Sequence, residues 1–178
     1  MRYAMMRSMD VSNGSGVGVS LFVQGCHFHC KGCFNQETWD FSGGKEWTPE
    51  AESHFLELAN RPYISRISIL GGEPLADENV SDIRKLIEKI HALLPDKKIW
   101  LYTGYTVDSM FGNPLDCKCT NVDRILAVRS VDVVVDGQFQ LDKQDLLNKE
   151  IVFAGSTNQR LIDVNKSKAY KKIMLLSD

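Results

Sequence analysis

Of the five cysteines in this chain, Cys26, Cys30 and Cys33 fall within eight residues. Thiolates are soft ligands suited to iron–sulfur clusters and to zinc. An odd cysteine count with a tight trio favours metal binding over disulfides in a reducing compartment. The run Cys26-x3-Cys30-x2-Cys33 supplies three thiolates. A cubane has four irons, so one iron would lack a protein ligand. Such an open metal position lets a substrate coordinate directly, as catalytic zinc sites do. On this reading the trio holds a [4Fe–4S] cluster, and S-adenosylmethionine fills the open corner through its amino and carboxylate groups. The competing reading is a structural zinc site with His27 or His29 as fourth ligand. Zinc sites usually pair cysteines in two separate knuckles. Cys117-x-Cys119 lies downstream, but its spacing is unusual for a knuckle, and it reads equally as two loop thiols near a turn at Asn113-Pro114.

A second chemical signal is Gly71-Gly72-Glu73-Pro74. Glycines let the backbone approach a ligand and expose carbonyls or amides to it. An amino acid ammonium would suit such carbonyls. Glu73 reads either as part of that contact or as a solvated loop carboxylate. Tyr102 and Tyr105 read as core and rim aromatics or as ligand neighbours, and Asp136 as a turn-former before Gly137.

The elements that must position these residues alternate in type. Val17 to Val23 is a predicted strand, and Ile64 to Leu70 a second. Ile99 to Tyr102 and Val131 to Val135 are the third and fourth. Between them, Thr48-Pro49-Glu50 has the residues of a helix start: a capping Thr, a Pro at the first position and acids at the positive end. Asn79 to Leu94 carries Val80, Ile83, Ile87, Ile90 and Leu94 on one helical face. A weaker helix covers about Val122 to Val128. Alternating strands and helices argue for parallel strands joined by right-handed crossovers. Four units cannot close an eight-stranded barrel, so the expected fold is α/β, an open partial (β/α) barrel of parallel strands. Each unusual motif directly follows a predicted strand, so all would emerge at one edge, where such folds place ligands.

Composition sets the remaining bounds. The chain has 178 residues, 43% of them hydrophobic and 25% charged. That suits one domain over 1–178, with the lysine-bearing stretch 166–178 expected as a loosely attached tail. Folding at this size needs no metal staple, so a metal is expected for chemistry. A net charge of −2 implies no strong overall attraction to nucleic acid or anionic membrane. No apolar run approaches the ~20 residues needed to span a bilayer. Charge interrupts the first residues too early for a secretory signal, and a cytoplasmic location is expected.

These motifs together resemble the radical S-adenosylmethionine enzymes, and among them the activating proteins of anaerobic ribonucleoside-triphosphate reductase. The likeness runs through Asn13-Gly14-x-Gly16, Leu21-Phe22-Val23-x-Gly25-Cys26, Gly32-Cys33-x-Asn35 and Thr38-Trp39. It continues through Gly71-Gly72-Glu73-Pro74, Trp100-x-Tyr102-Thr103-Gly104-Tyr105 and Val135-Asp136-Gly137-x-Phe139, to Gly155-Ser156-x-Asn158-Gln159-Arg160. The resemblance implies a [4Fe–4S] cluster on Cys26, Cys30 and Cys33. It implies S-adenosylmethionine against Gly32, Cys33 and Phe34 and against Gly71 and Gly72, with Glu73 beside them. Reductive cleavage, fed by reduced flavodoxin or a similar donor, would give a 5′-deoxyadenosyl radical. That radical would take hydrogen from a glycine of the large reductase subunit, the protein partner, whose glycine loop would enter the open side of the pocket. Activation of another glycyl-radical enzyme such as pyruvate formate-lyase is the nearest alternative. Gly32 stands where the wider superfamily often has an aromatic, as is common in the reductase activators. Ser15 replaces a frequent proline, and Cys117-x-Cys119 lies outside the shared pattern.

Overall fold

The computed structural model describes residues 1–111, 121–144 and 152–176. Its strands are β1 (Arg2–Asp10), β2 (Gly18–Val23), β3 (Lys45–Glu46), β4 (Arg66–Gly71), β5 (Lys98–Thr103), β6 (Val133–Asp136) and β7 (Arg160–Asp163). They form one sheet in the order β3-β1-β2-β4-β5-β6-β7. Each predicted strand appears, and β2, β4, β5 and β6 pair parallel with their neighbours.

The expectation of an all-parallel partial barrel needs correction. The sheet is mixed and open: β1 and β3 extend it antiparallel beyond β2, and β7 pairs antiparallel with β6. These three edge strands were not predicted. β1 reads Arg-Tyr-Ala-Met-Met-Arg-Ser-Met-Asp and is largely exposed or half-buried, so it lacks a clean apolar alternation. β3 has two residues and β7 four. Short edges offer little ladder to a foreign strand, and equally little pattern to read.

The helices form where capping and periodicity place them. In α1 (Pro49–Ala59) the Thr48 side chain accepts from the Ala51 amide at 3.2 Å, and Pro49 opens the first turn. In α2 (Val80–Leu93) Val80, Ile83, Leu86, Ile87 and Ile90 are buried along one stripe. In α3 (Val122–Arg129) the Asn121 side chain accepts from the Arg124 amide at 3.2 Å. All three pack on one face of the sheet. There Val19, Leu21, Ile67, Ile69, Ile99, Leu101 and Val134 are fully buried against Phe55, Ile83, Ile87 and Ala127. Consecutive parallel neighbours with helices on one side are what right-handed crossovers in a single direction produce.

The stretch from Lys166, expected as a loose tail, includes most of α4 (Val164–Tyr170). Ser167 is fully buried, and its hydroxyl donates to the Asp163 carbonyl at 2.7 Å. The backbone returns beside β7, with the Leu176 amide on the Leu161 carbonyl at 2.8 Å.

The other sheet face alternates with the helix-covered one and is polar at its centre. Ser20, Ser68 and Trp100 lie side by side in register. Arg66, only 1% exposed, lies over this row. Its guanidinium donates to the carbonyls of Asp10, Asn13 and Ser15 at 2.7, 2.5 and 3.2 Å, and to the Ser68 hydroxyl. The loop that follows β1 thus folds under this face. A Cβ at Gly14 would lie 2.5 Å from the Arg66 side chain and 2.9 Å from Trp100, so only glycine fits that crossing.

Candidate active site

Loops leaving the carboxyl ends of β2, β4, β5 and β6 meet around one cavity of about 360 Å³. Cys26, Cys30 and Cys33 line it, as do Gly71, Gly72 and Glu73. Thr103 and Gly104 come from the third loop, and Gly137 and Phe139 from the fourth. The expected convergence of motifs at one edge is therefore present. Phe34 also lines the cavity and is otherwise largely exposed, resting near Phe139 with ring centroids 5.3 Å apart. Gly32 is not among the lining residues. It adopts a positive φ of 75° beneath Leu141, whose side chain would lie 2.8 Å from an added Cβ. That backbone geometry lets the cysteine loop turn. Cys117 and Cys119 lie outside the described residues.

The cysteine loop begins where β2 ends. The Gly25 amide donates to the Thr38 carbonyl at 2.7 Å and the Cys26 amide to the Trp39 carbonyl at 3.0 Å, so the loop closes on itself. Its rings pack against neighbouring rings. His27 lies 4.4 Å from the Phe41 ring and hydrogen-bonds Glu78 at 3.0 Å. His29 stacks on Trp39 at 4.7 Å, and Phe28 meets the edge of Tyr105 at 4.9 Å. Both histidines thus have partners away from a metal. Among the described residues, no three His, Cys, Asp or Glu side chains gather closely enough to hold one metal ion. Three thiols spread around one cavity suit a cubane, whose corners stand apart, better than a single zinc.

All three cysteines are unpaired and partly exposed. Burial pushes the Cys26 thiol up from its ordinary value, and the nearby Glu73 charge adds to the effect. Burial also raises Cys30, followed by the neighbouring Cys33. Metal loading at raised thiols releases protons.

Gly71-Gly72-Glu73 is packed against the start of the cysteine loop. The Gly72 amide donates to the Val23 carbonyl at 2.9 Å and the Glu73 amide to the Gly25 carbonyl at 2.7 Å. A Cβ at Gly72 would lie 2.4 Å from the Gly25 oxygen, so any side chain there would displace the loop. Glu73 is not solvated: it is 1% exposed. Its Oε1 accepts from the Leu75 amide at 2.8 Å and the Thr103 hydroxyl at 2.7 Å, and its Oε2 from the Gly104 amide at 2.7 Å. Burial lifts its carboxyl to about 7, despite those three donors. Asn79, just before α2, donates to the Gln24 and Glu73 carbonyls at 2.9 and 3.0 Å.

Asp136 is more than a turn-former. Fully buried, it accepts from the Val107 amide at 3.0 Å and from the Arg160 guanidinium at 2.9 and 2.6 Å. Arg160 also pairs with Asp108 through two contacts at 3.0 and 2.7 Å. Gln159 holds the fourth wall, accepting from the Gly155 amide at 2.8 Å and donating to the Gly137 carbonyl at 2.9 Å.

Two lining residues carry buried polar atoms without a partner among the described residues: the Trp39 indole N–H and the Tyr102 hydroxyl. Burial raises the Tyr102 hydroxyl far above its ordinary value. Buried orphan donors beside a cavity are what a polar ligand or water would satisfy. Sequence reasoning missed Phe28 and Arg66 altogether. The signal for Arg66 was a charged residue opening an apolar strand; Phe28 had none nearby.

A family described as a 4Fe-4S single cluster domain matches residues 12–162. The anaerobic ribonucleoside-triphosphate reductase-activating protein of Salmonella typhi is 38% identical over 161 residues, covering 89% of this chain and 96% of that one. The protein of that name from Escherichia coli K12 is 37% identical, with the same coverage. That of Enterobacteria phage T4 is 32% identical, covering 90% of this chain and 93% of its own. The chain belongs to the anaerobic ribonucleoside-triphosphate reductase-activating family. The cysteine trio and all four cavity loops lie inside the matched span. The donor set fits the cluster of the family's description: three thiols line one cavity. No helix of the described residues is long and apolar enough to cross a membrane.

Proposed function

We propose that this chain activates anaerobic ribonucleotide reductase by reductive cleavage of S-adenosylmethionine at a [4Fe–4S] cluster on Cys26, Cys30 and Cys33. The 5′-deoxyadenosyl radical so formed takes hydrogen from a glycine of the reductase. When bound, the cluster supplies the electron for that cleavage, delivered to it by reduced flavodoxin or a similar donor. The observation that carries the reading is the meeting of three thiols with Gly71 and Gly72 on one 360 Å³ cavity, in a chain whose relatives bear the activator's name.

The protein's own residues orient and shield. Backbone at Gly71 and Gly72 offers polar groups to the amino acid end of the cosubstrate, beside Cys33 and Phe34. Trp39 and Tyr102 present unsatisfied donors to its polar atoms. The sheet is open on the cavity side, so the partner's glycine loop completes the enclosure, passing the exposed Phe34.

Anaerobic reconstitution tests the reading. The loaded protein should hold about four irons per chain, release deoxyadenosine after reduction, and raise a glycyl radical signal on the reductase in electron paramagnetic resonance. Cys30→Ala should abolish cleavage. A colourless protein with stoichiometric zinc, or full activity in Cys30→Ala, would overturn it. A radical raised only on a formate-lyase would reassign the partner.

A further inference from the structure

Glu73 stands beside the cavity, yet both of its carboxylate oxygens are occupied by other parts of the chain. Leu75, Thr103 and Gly104 supply three donors within 2.8 Å, and 1% of the residue is exposed. Three of its roughly four acceptor sites are taken within the chain. The turn it grips is gripped from the far side as well: Asp136 takes the Val107 amide at 3.0 Å, and the Gly137 amide donates to the Tyr105 carbonyl at 3.2 Å. Residues 103–107 are thus strung between two buried carboxylates.

That turn touches the cysteine loop at one place. The Phe28 ring lies so close over Gly104 that an added Cβ would come within 2.5 Å of it. Its edge also meets Tyr105 at 4.9 Å, and Tyr105 is backed by the Arg124 guanidinium at 4.4 Å. Phe28 stands between Cys26 and Cys30, and all three line the cavity. A shift of the 103–105 turn therefore moves Phe28 and the thiols on either side of it.

We infer that Glu73 is a positioning residue, setting the placement of Cys26 and Cys30 through Gly104 and Phe28 without contacting the cosubstrate. This rests on the function proposed above. Groups that hydrogen-bond metal ligands typically alter affinity or activity about 10–100-fold when changed, and Glu73, acting through Gly104 and Phe28, belongs at the low end of that range. In Glu73→Gln one end of the side-chain amide carries N–H, so it would face either the Gly104 amide or the Leu75 amide, donor against donor, and the grip on the turn loosens in both orientations.

The test uses the full chain loaded with cluster under anoxia, with S-adenosylmethionine as the probe. Wild-type protein is assayed first; if it loads cluster and yields no deoxyadenosine, the proposed function fails at that step, while the spectrum of the reduced cluster without cosubstrate still decides this inference. Glu73→Gln should shift that spectrum and slow cleavage by about tenfold or more. The dissociation constant for S-adenosylmethionine should stay within about threefold of wild type, because no ligand contact is lost. Gly104→Ala, which leaves Glu73 in place and presses on Phe28, should shift the spectrum in the same direction. An unaltered spectrum in Glu73→Gln with binding weakened about tenfold would make Glu73 a cosubstrate contact and overturn the inference. If Glu73→Gln does not fold, Thr103→Val and Thr103→Ser decide: the spectrum should move more in Val, which loses the hydroxyl, than in Ser, which keeps it. Equal spectra for that pair would overturn it too.

Discussion

On the helix-covered face of the sheet, Leu21, Ile69 and Leu101 are fully buried among apolar side chains from α1, α2 and α3. On the opposite face Ser68 and Arg66 are buried as deeply, but among carbonyls and hydroxyls. Apolar burial is non-directional and roughly proportional to area. Buried polar groups depend on a particular partner at a particular angle. The first face therefore holds the sheet together with some tolerance of side-chain shape. The second fixes the loop from Asp10 to Gly16 in one position, and Ser12 and Asn13 of that loop line the cavity. Specific placement is found on the side where the chemistry is.

The sharpest way to break this contrast is Arg66→Met. It would take the guanidinium from beside the buried Asp10 carboxylate, 3.5 Å away, which would keep Ser12, Asn13 and Arg7, and would leave the Asp10 and Ser15 carbonyls without that donor. Removing one partner of a buried pair costs about 3–5 kcal/mol, readable by denaturant unfolding. A loss below about 1 kcal/mol, as for a surface pair, would mean that this face is not held by its charges.

A pH measurement probes the upper edge, where the helix-covered face itself turns polar at Thr103 and Asp136. The Glu73 carboxyl rises on folding from its ordinary 4.5 to about 7. Between those values the unfolded chain has released a proton that the folded chain keeps. Stability therefore falls as pH rises across that window, by at most about 1.4 kcal/mol per pH unit. Glu73→Gln cannot titrate, so as pH rises from 4.5 to 7 its melting temperature should fall less, or rise more, than that of wild type. Parallel slopes would show that Glu73 does not hold its proton there.

Neighbours on opposite faces give a finer comparison. Ser68→Ala removes the hydroxyl that donates to the Asn13 carbonyl at 2.6 Å and receives from Arg66. Arg66 still donates to the Asn13 carbonyl at 2.5 Å, so the loss is that of the hydrogen bond itself, about 0.5–1.5 kcal/mol. Ile69→Val deletes one methylene beside it in sequence but across the sheet, and should cost about 0.5–1.5 kcal/mol. Unfolding curves should show losses of similar size, and no loss in Ser68→Ala would mean that its hydroxyl has no part in holding the loop.

Much of this was legible before the structure. Thr48 and Pro49 announce α1, and the stripe from Val80 to Ile90 announces α2, because caps and periodicity act within one or two helical turns. The four central strands could be read from short apolar runs, and the order of elements implied parallel pairing. Cys26, Cys30, Cys33, Gly71 and Gly72 were singled out by type and spacing alone. Gly32 was singled out too, and the structure adds a backbone reason for it, a positive φ in the loop beneath Leu141. The edge strand Arg2–Asp10 escaped notice because one side of an edge needs no apolar pattern, and its charges read as loop.

The sequence by itself determined the order of helices and central strands, the trio of thiols and the edge at which the motifs emerge. These follow from residue type and from spacings of a few positions. The tertiary structure decided which way the outer strands run, that Arg66 is caged by a loop more than fifty residues before it, and that Glu73 serves Thr103 and Gly104 thirty residues on. Such partners are set by how distant segments cross. A hydrogen bond between them leaves no period in the chain, because each end carries a polar residue that could equally have faced water.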